Sequence, residues 1–135
     1  MKTKIIIVFA VFTTFFSCKN EVKEEVKPIV ENSKATEVQL IQFHTEHRCV
    51  TCNNIEKLSK ETIKENDAIS FVLYNVDDEK NAKVAEQFEA TGTSLYLYNS
   101  KTKAIKDLTE MAFMYAKNEG EKFKTELQKE ISEFK

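Results

Sequence analysis

The chain has 135 residues, 41% of them hydrophobic and 31% charged, and a net charge of −2 at pH 7. That length suits one domain with a modest core plus some additional chain. Lysine and glutamate are interspersed, which reads as a solvated surface and excludes the basic footprint of a nucleic-acid-binding protein.

Met1-Lys2-Thr3-Lys4 is a short basic segment, and Ile5 to Phe16 is an apolar run. The run falls well short of the ~20 residues that a spanning helix needs, so residues 1–17 read as a secretory signal. Ser17-Cys18 looks like the end of a bacterial lipobox, with a small residue before a cysteine that becomes lipidated. Phe15 and Phe16 depart from the usual aliphatic-then-small pattern, and a plain signal peptide with an incidental Cys18 is the alternative. Acyl chains on Cys18, at ~0.8 kcal/mol per buried CH₂, would hold the mature protein on a membrane. The expected location is the bacterial cell envelope, with the domain facing the periplasm or the exterior. Residues 18–36 read as the lipidated cysteine and a charged tether, which contains the only proline, Pro28, and no sustained apolar period.

Residues 37–135 carry the periodic segments. Val38 to Phe43 is mostly apolar and predicts a strand buried on both faces. A helix-like run starts at Asn53-Asn54-Ile55-Glu56, and the spacing of Ile55, Leu58, Thr62 and Ile63 carries it to about Glu65. Asn66-Asp67 marks a turn, and Ala68 to Val76 predicts a second strand. Asp77-Asp78 suits the N-cap of a helix with Val84, Ala85 and Phe88 on its apolar face, ended by Thr91-Gly92. Ser94 to Tyr98 predicts a third strand, Asn99-Ser100-Lys101 a turn, and Lys103 to Leu108 a fourth strand. Met111 to Ala116 is apolar enough to pack, with no conformation assigned. Phe123, Leu127, Ile131 and Phe134 line one side of a closing helix over Glu119 to Phe134. The order βαβαββα implies an α/β domain with a central mixed sheet flanked by helices. Tyr74, Tyr96 and Tyr98 fall on strands and are expected to pack.

Between the first strand and first helix lies His44-Thr45-Glu46-His47-Arg48-Cys49-Val50-Thr51-Cys52. This stretch holds both histidines of the chain, its only arginine and two of its three cysteines. Strand, Cys-x-x-Cys, then helix is the context of a redox motif. Unpaired N–H groups and the positive end of the helix dipole favour a thiolate at the helix start. Cys49 is thus the candidate nucleophile, with Arg48 adding a fixed positive charge and His47 a second when protonated. Cys52, about one turn on, is placed to resolve a mixed disulfide. Such a redox-active disulfide needs no further cofactor, and its partner is a protein carrying a thiol or disulfide. One alternative is a permanent disulfide staple, although a bridge closing so short a loop removes little chain entropy. Another is a metal- or metalloid-binding module, since His44, His47, Cys49 and Cys52 are ligand types suited to zinc, copper or arsenite. Haem attachment is excluded because Asn53, not histidine, follows the motif.

Over residues 37–135 the layout resembles the thioredoxin fold. The resemblance rests on Cys49-Val50-Thr51-Cys52, and on Asn75-Val76-Asp77-Asp78 followed by a helix and Thr91-Gly92-Thr93-Ser94. More narrowly, the phrase F-H-x(3)-R-C-x-T-C-x(2)-I-E, from Phe43 to Glu56, is similar to the ArsF-like thioredoxin-fold proteins. These carry the label of a nitrophenyl-compound nitroreductase subunit. The resemblance implies a thioredoxin-like thiol–disulfide oxidoreductase or electron-transfer protein. Two positions depart from thioredoxins. Ser94 stands where they have a cis-proline, and a cis bond before a non-proline residue costs ~2.5–4 kcal/mol, so Thr93-Ser94 is expected to be trans. Gln42 stands where they have a buried aspartate, and it cannot take a proton. Deprotonation of Cys52 would then fall to water or another base, with His44 the nearest candidate by sequence.

Overall fold

A computed structural model describes residues 36–134; the expected signal, Cys18 and the tether up to residue 35 lie outside the described residues. The first strand, β1 (Val38–His44), has five consecutive buried residues, as expected for an apolar run that must be covered on both faces. It runs parallel to β2 (Ile69–Asn75), in a register from Val38↔Ile69 to His44↔Asn75. On its other edge it pairs antiparallel with β3 (Ser94–Asn99), with Phe43 opposite Ser94. A short β4 (Ile105–Asp107) completes a mixed sheet of order β2-β1-β3-β4.

Side chains alternate across β1, and the alternation divides the core in two. Leu40 points into a layer with Ile55 and Ile63 of α1 (Val50–Ile63), and with Ala112 and Ala116 of α3 (Thr109–Ala116). Phe123 and Leu127 of α4 (Gly120–Glu133) complete that layer. Ile41 and Phe43 point the other way, towards Val84 and Ala85 of α2 (Ala82–Gln87). There Phe43 stacks on Tyr74 with ring centroids 5.5 Å apart and meets Tyr96 edge-on at 5.8 Å, while Phe88 contacts Tyr98 at 5.5 Å. The three tyrosines are packing residues, as expected. The molecule is an α/β domain with a thioredoxin-like arrangement, and among the described residues no helix is long and apolar enough to cross a membrane.

Four local expectations change. Met111 to Ala116 is helical: Thr109 follows a turn in which its N–H bonds Asp107 Oδ1 at 2.8 Å, and Ala112 and Ala116 face the sheet. The order is therefore βαβαββαα. The helix after Asp78 opens as a 3-10 turn, Glu79–Asn81, with the Asp78 carboxylate accepting from Lys80 N at 3.1 Å, so the expected capping holds. That helix stops before Thr91-Gly92, because Glu89 turns left-handed (φ 54°) and Ala90 N bonds back to Ala85 O. The fourth strand loses its first residues to the turn, where Lys103 has φ 64° and Asn99 Oδ1 accepts from the N–H groups of Lys101 and Thr102.

Phe123 is wholly buried where α4 meets α1 and the sheet. Phe123→Ala should cost about 3–5 kcal/mol of unfolding free energy, read as a lower urea midpoint at an unchanged slope.

Candidate active site

The sheet delivers the motif. β1 ends at His44, and four residues later the chain enters α1 with Cys49 as its N-cap. The helix therefore starts three residues before the run that its apolar spacing suggested. Cys49 Sγ takes the capping place, 3.2 Å from Cys52 N, and Asn53 N donates to Cys49 O at 3.1 Å. The intervening loop is pinned at both ends. Thr45 Oγ1 donates to His47 O at 3.0 Å, and Glu46 N donates to Asp77 Oδ2 at 2.7 Å. Asp77 thus ties the loop after β2 to the loop after β1.

Cys49 and Cys52 form a disulfide, with Cα atoms 5.1 Å apart. The two sulfurs have different surroundings: Cys49 is exposed, whereas Cys52 is 5% exposed. An accessible first sulfur and a sheltered second one is the asymmetry that sequential attack and resolution require. Beneath Cys52, Gln42 is fully buried and its Nε2 donates to Cys52 O at 3.0 Å. Its Oε1 has no partner. Gln42 therefore fastens the helix start to the middle of the sheet, and holds no exchangeable acidic proton at the place where a carboxylate would.

Arg48 does not simply face the sulfurs. Its Nη1 meets Glu56 Oε2 at 2.5 Å, and its Nη2 lies 3.4 Å from Cys52 O. Lys60 meets the other oxygen of Glu56, also at 2.5 Å. Cys52, Glu56 and Lys60 are spaced four apart along one face of α1, and Arg48, just before the N-cap, reaches the same face, a ladder visible in the sequence once its period is read through the motif. Glu56 is the residue that sequence reasoning missed, because it appeared there only as part of a phrase. Burial of Glu56 opposes its ionisation, but hydrogen bonds from Lys60 and Arg48 and their charges outweigh that and hold its carboxyl below the usual value. The Arg48 charge is consequently shared with a carboxylate. The group that directly faces Cys49 Sγ is the backbone N–H of Cys52.

The histidines are placed apart. His44 turns Nδ1 towards Thr45 O at 2.8 Å and lines an open groove of about 470 Å³ along the β2 edge, with Phe71, Tyr74, Lys60 and Asn81. His47 stands exposed in the loop. Among the described residues no three His, Cys, Asp or Glu side chains gather as a metal-holding group. Zinc, copper or arsenite thus stays an expectation from residue types, with no gathered ligand set behind it. The Thr93–Ser94 bond is trans, as expected, there being no cis peptide among the described residues. Thr93 Oγ1 lies 3.2 Å from Cys52 Sγ. Tyr74 has a buried hydroxyl without a partner, and burial pushes its pKa up to about 12, so it remains a neutral packing group.

No family model and no curated protein matches the chain. A solved structure titled "Structure of a malarial protein" aligns with 58% of this chain and 94% of its own, at 21% identity and a TM-score of 0.42. So slight a likeness has no bearing on function.

Because the Glu56 carboxyl is held below its ordinary value of 4.5, its stabilising contribution is full above that pH. It is lost as pH falls further, through the folded-state value. Unfolding free energy measured across that acidic range should fall, and Glu56→Gln should flatten part of the decline. An identical pH profile for both proteins would show that the Arg48–Glu56–Lys60 ladder is not coupled to folding.

Proposed function

We propose that this protein is a thioredoxin-like thiol–disulfide oxidoreductase acting on protein partners. The observation that carries the reading is the disulfide between an exposed Cys49 and a buried Cys52 at a strand-to-helix junction. The resemblance of Phe43 to Glu56 to the ArsF-like phrase, which includes the same two cysteines, is in keeping with it.

The chemistry balances with these two sulfurs alone. In the reduced protein the Cys49 thiolate attacks one sulfur of a partner disulfide. A mixed disulfide forms, and the other partner sulfur leaves as a thiolate. Cys52, as a thiolate, then attacks Cys49 Sγ, which closes the Cys49–Cys52 bond and releases the second partner thiol. Two electrons pass to the partner, and the reverse sequence oxidises partner thiols. Backbone N–H groups at the start of α1 stabilise the Cys49 thiolate, and Arg48 adds to that to the extent that Glu56 leaves its charge unbalanced. Exposed His47 stands in the same loop, as a second positive charge when protonated. With Gln42 under Cys52, the proton of the resolving thiol leaves to solvent.

The same reading places the domain on a lipid-modified Cys18 at the surface of a bacterial membrane, supported by the basic and apolar segments before Ser17-Cys18. Intact mass of the membrane fraction should then show loss of residues 1–17 and a gain of lipid. A soluble mature protein with a free Cys18 thiol would refute the anchor while leaving the redox reading standing.

For the exchange itself, Cys49→Ser should reduce turnover of a disulfide substrate to background. Cys52→Ser should accumulate mixed disulfides that dissolve on adding dithiothreitol, because only the resolving thiol releases the partner. Iodoacetamide should modify Cys49 faster than Cys52 in the reduced protein. If Cys52→Ser traps nothing and both thiols alkylate at one rate, the disulfide is a staple.

A further inference from the structure

Among the described residues the buried sulfur has one side-chain hydrogen-bond partner, and it is neither Arg48 nor Gln42. Arg48 is turned to Glu56, and the Gln42 amide is spent on the Cys52 carbonyl. The hydroxyl of Thr93, 3.2 Å from Cys52 Sγ, reaches the sulfur from a different element altogether. Its position is set by the sheet. Ser94 pairs with Phe43 at the top of β1, and Ser94 Oγ donates to Gly92 O at 3.4 Å. Leu95 N donates to Thr109 Oγ1 at 3.1 Å. The backbone around Thr93 is thereby held against the same end of β1 from which the chain rises into the Cys-x-x-Cys.

We propose that Thr93 is the hydrogen-bond donor that supports negative charge on Cys52, taking the place of a proton-exchanging group at the resolving sulfur. The proposal rests on the thiol–disulfide reading and deepens it. When an attacking thiolate bonds to Cys49 Sγ, the Cys49–Cys52 bond breaks and its electron pair goes to Cys52 Sγ. Cys52 is a buried residue, so its sulfur receives little solvation from water. A buried anion without a donor is strongly disfavoured. The Thr93 O–H supplies the donor until a proton arrives from solvent. In the opposite direction the same hydrogen bond favours the Cys52 thiolate that attacks the mixed disulfide. A hydroxyl suits this task because it donates to the anion and needs no protonation change of its own. Stabilising the leaving thiolate makes the Cys49–Cys52 disulfide easier to reduce.

The test uses the full chain carrying Cys18→Ser, so that Cys49 and Cys52 are its only thiols. Thr93→Val and Thr93→Ala remove the donor; Thr93→Ser retains it. Each protein is equilibrated with defined ratios of reduced and oxidised glutathione, and the oxidised fraction is read by mass after alkylation. Loss of one hydrogen bond to a charged sulfur should move the equilibrium constant about tenfold towards the disulfide in Thr93→Val and Thr93→Ala. Thr93→Ser should stay within about twofold of the parent. The parent result separates the two ideas: if its disulfide does not equilibrate with glutathione, the exchange reading fails. In that event thiolate absorbance near 240 nm, followed against pH in a Cys49→Ala background, still decides the Thr93 contact. It should rise at higher pH for Thr93→Val than for the threonine or serine proteins. Equal equilibrium constants and equal absorbance profiles for valine and serine would overturn the proposal, as would a serine variant displaced as far as valine. Far-ultraviolet circular dichroism of the oxidised proteins checks that each is folded, and alanine provides the donor-free variant if valine is not.

Discussion

Strand β1 has a hydrogen-bonded neighbour on each edge and a packed layer on each face, and the remaining elements take their places from it. A strand in that position must be apolar on both sides, since any unpaired polar group there would be stranded away from water. Gln39 and Gln42 are the two buried polar residues of β1, and Gln42 is the instructive one. It sits at zero exposure among Leu40, Ile41 and Phe43, and its amide bonds the carbonyl of Cys52 in the first turn of α1. That bond joins the most buried part of the sheet to the point where the helix and the disulfide begin. The disulfide is consequently fastened to the buried centre of the domain, although Cys49 itself is exposed.

The surroundings of the disulfide are polar but sparing in charge. Arg48, the only arginine in the chain, is met by Glu56, which is met in turn by Lys60. A cationic side chain left unpaired beside a thiolate would favour the charged sulfur strongly; one shared with a carboxylate does so less. What faces the sulfurs directly is a backbone N–H at Cys49 and a threonine hydroxyl at Cys52. Neutral donors of this kind stabilise an anion at close range without binding it as a permanent ion pair. They also change little with pH, in contrast to a carboxylate or imidazole in the same position.

Much of this architecture was legible in the chain because its signals are local. The mostly apolar run Val38 to Phe43 declares a central strand, and Phe123, Leu127 and Ile131 at helical spacing declare an amphipathic helix. The turn chemistry at Asp77-Asp78 was equally local, since a carboxylate accepts a backbone N–H two residues ahead whatever the distant chain does. Met111 to Ala116 was not legible: six consecutive hydrophobic residues carry no period, and their packing against the sheet, α1 and α4 comes from distant chain. The length of α2 was likewise set by Glu89 turning left-handed, a conformation its residue type does not announce.

The sequence by itself determined that one strand-to-helix junction carries two cysteines at exchange spacing, with an arginine and two histidines around them. It determined this because residues close in sequence are necessarily close in space. Which of those groups act on which sulfur was decided by tertiary structure alone. Thr93 reaches Cys52 across 41 residues of chain because β3 pairs antiparallel with β1 and begins beside the motif. His44 and His47, separated by only three positions, part company because one ends a strand at the sheet edge groove and the other stands in an exposed loop. Proximity along the chain limits distance but not direction, and direction is what the pairing of strands and the burial of a helix face impose.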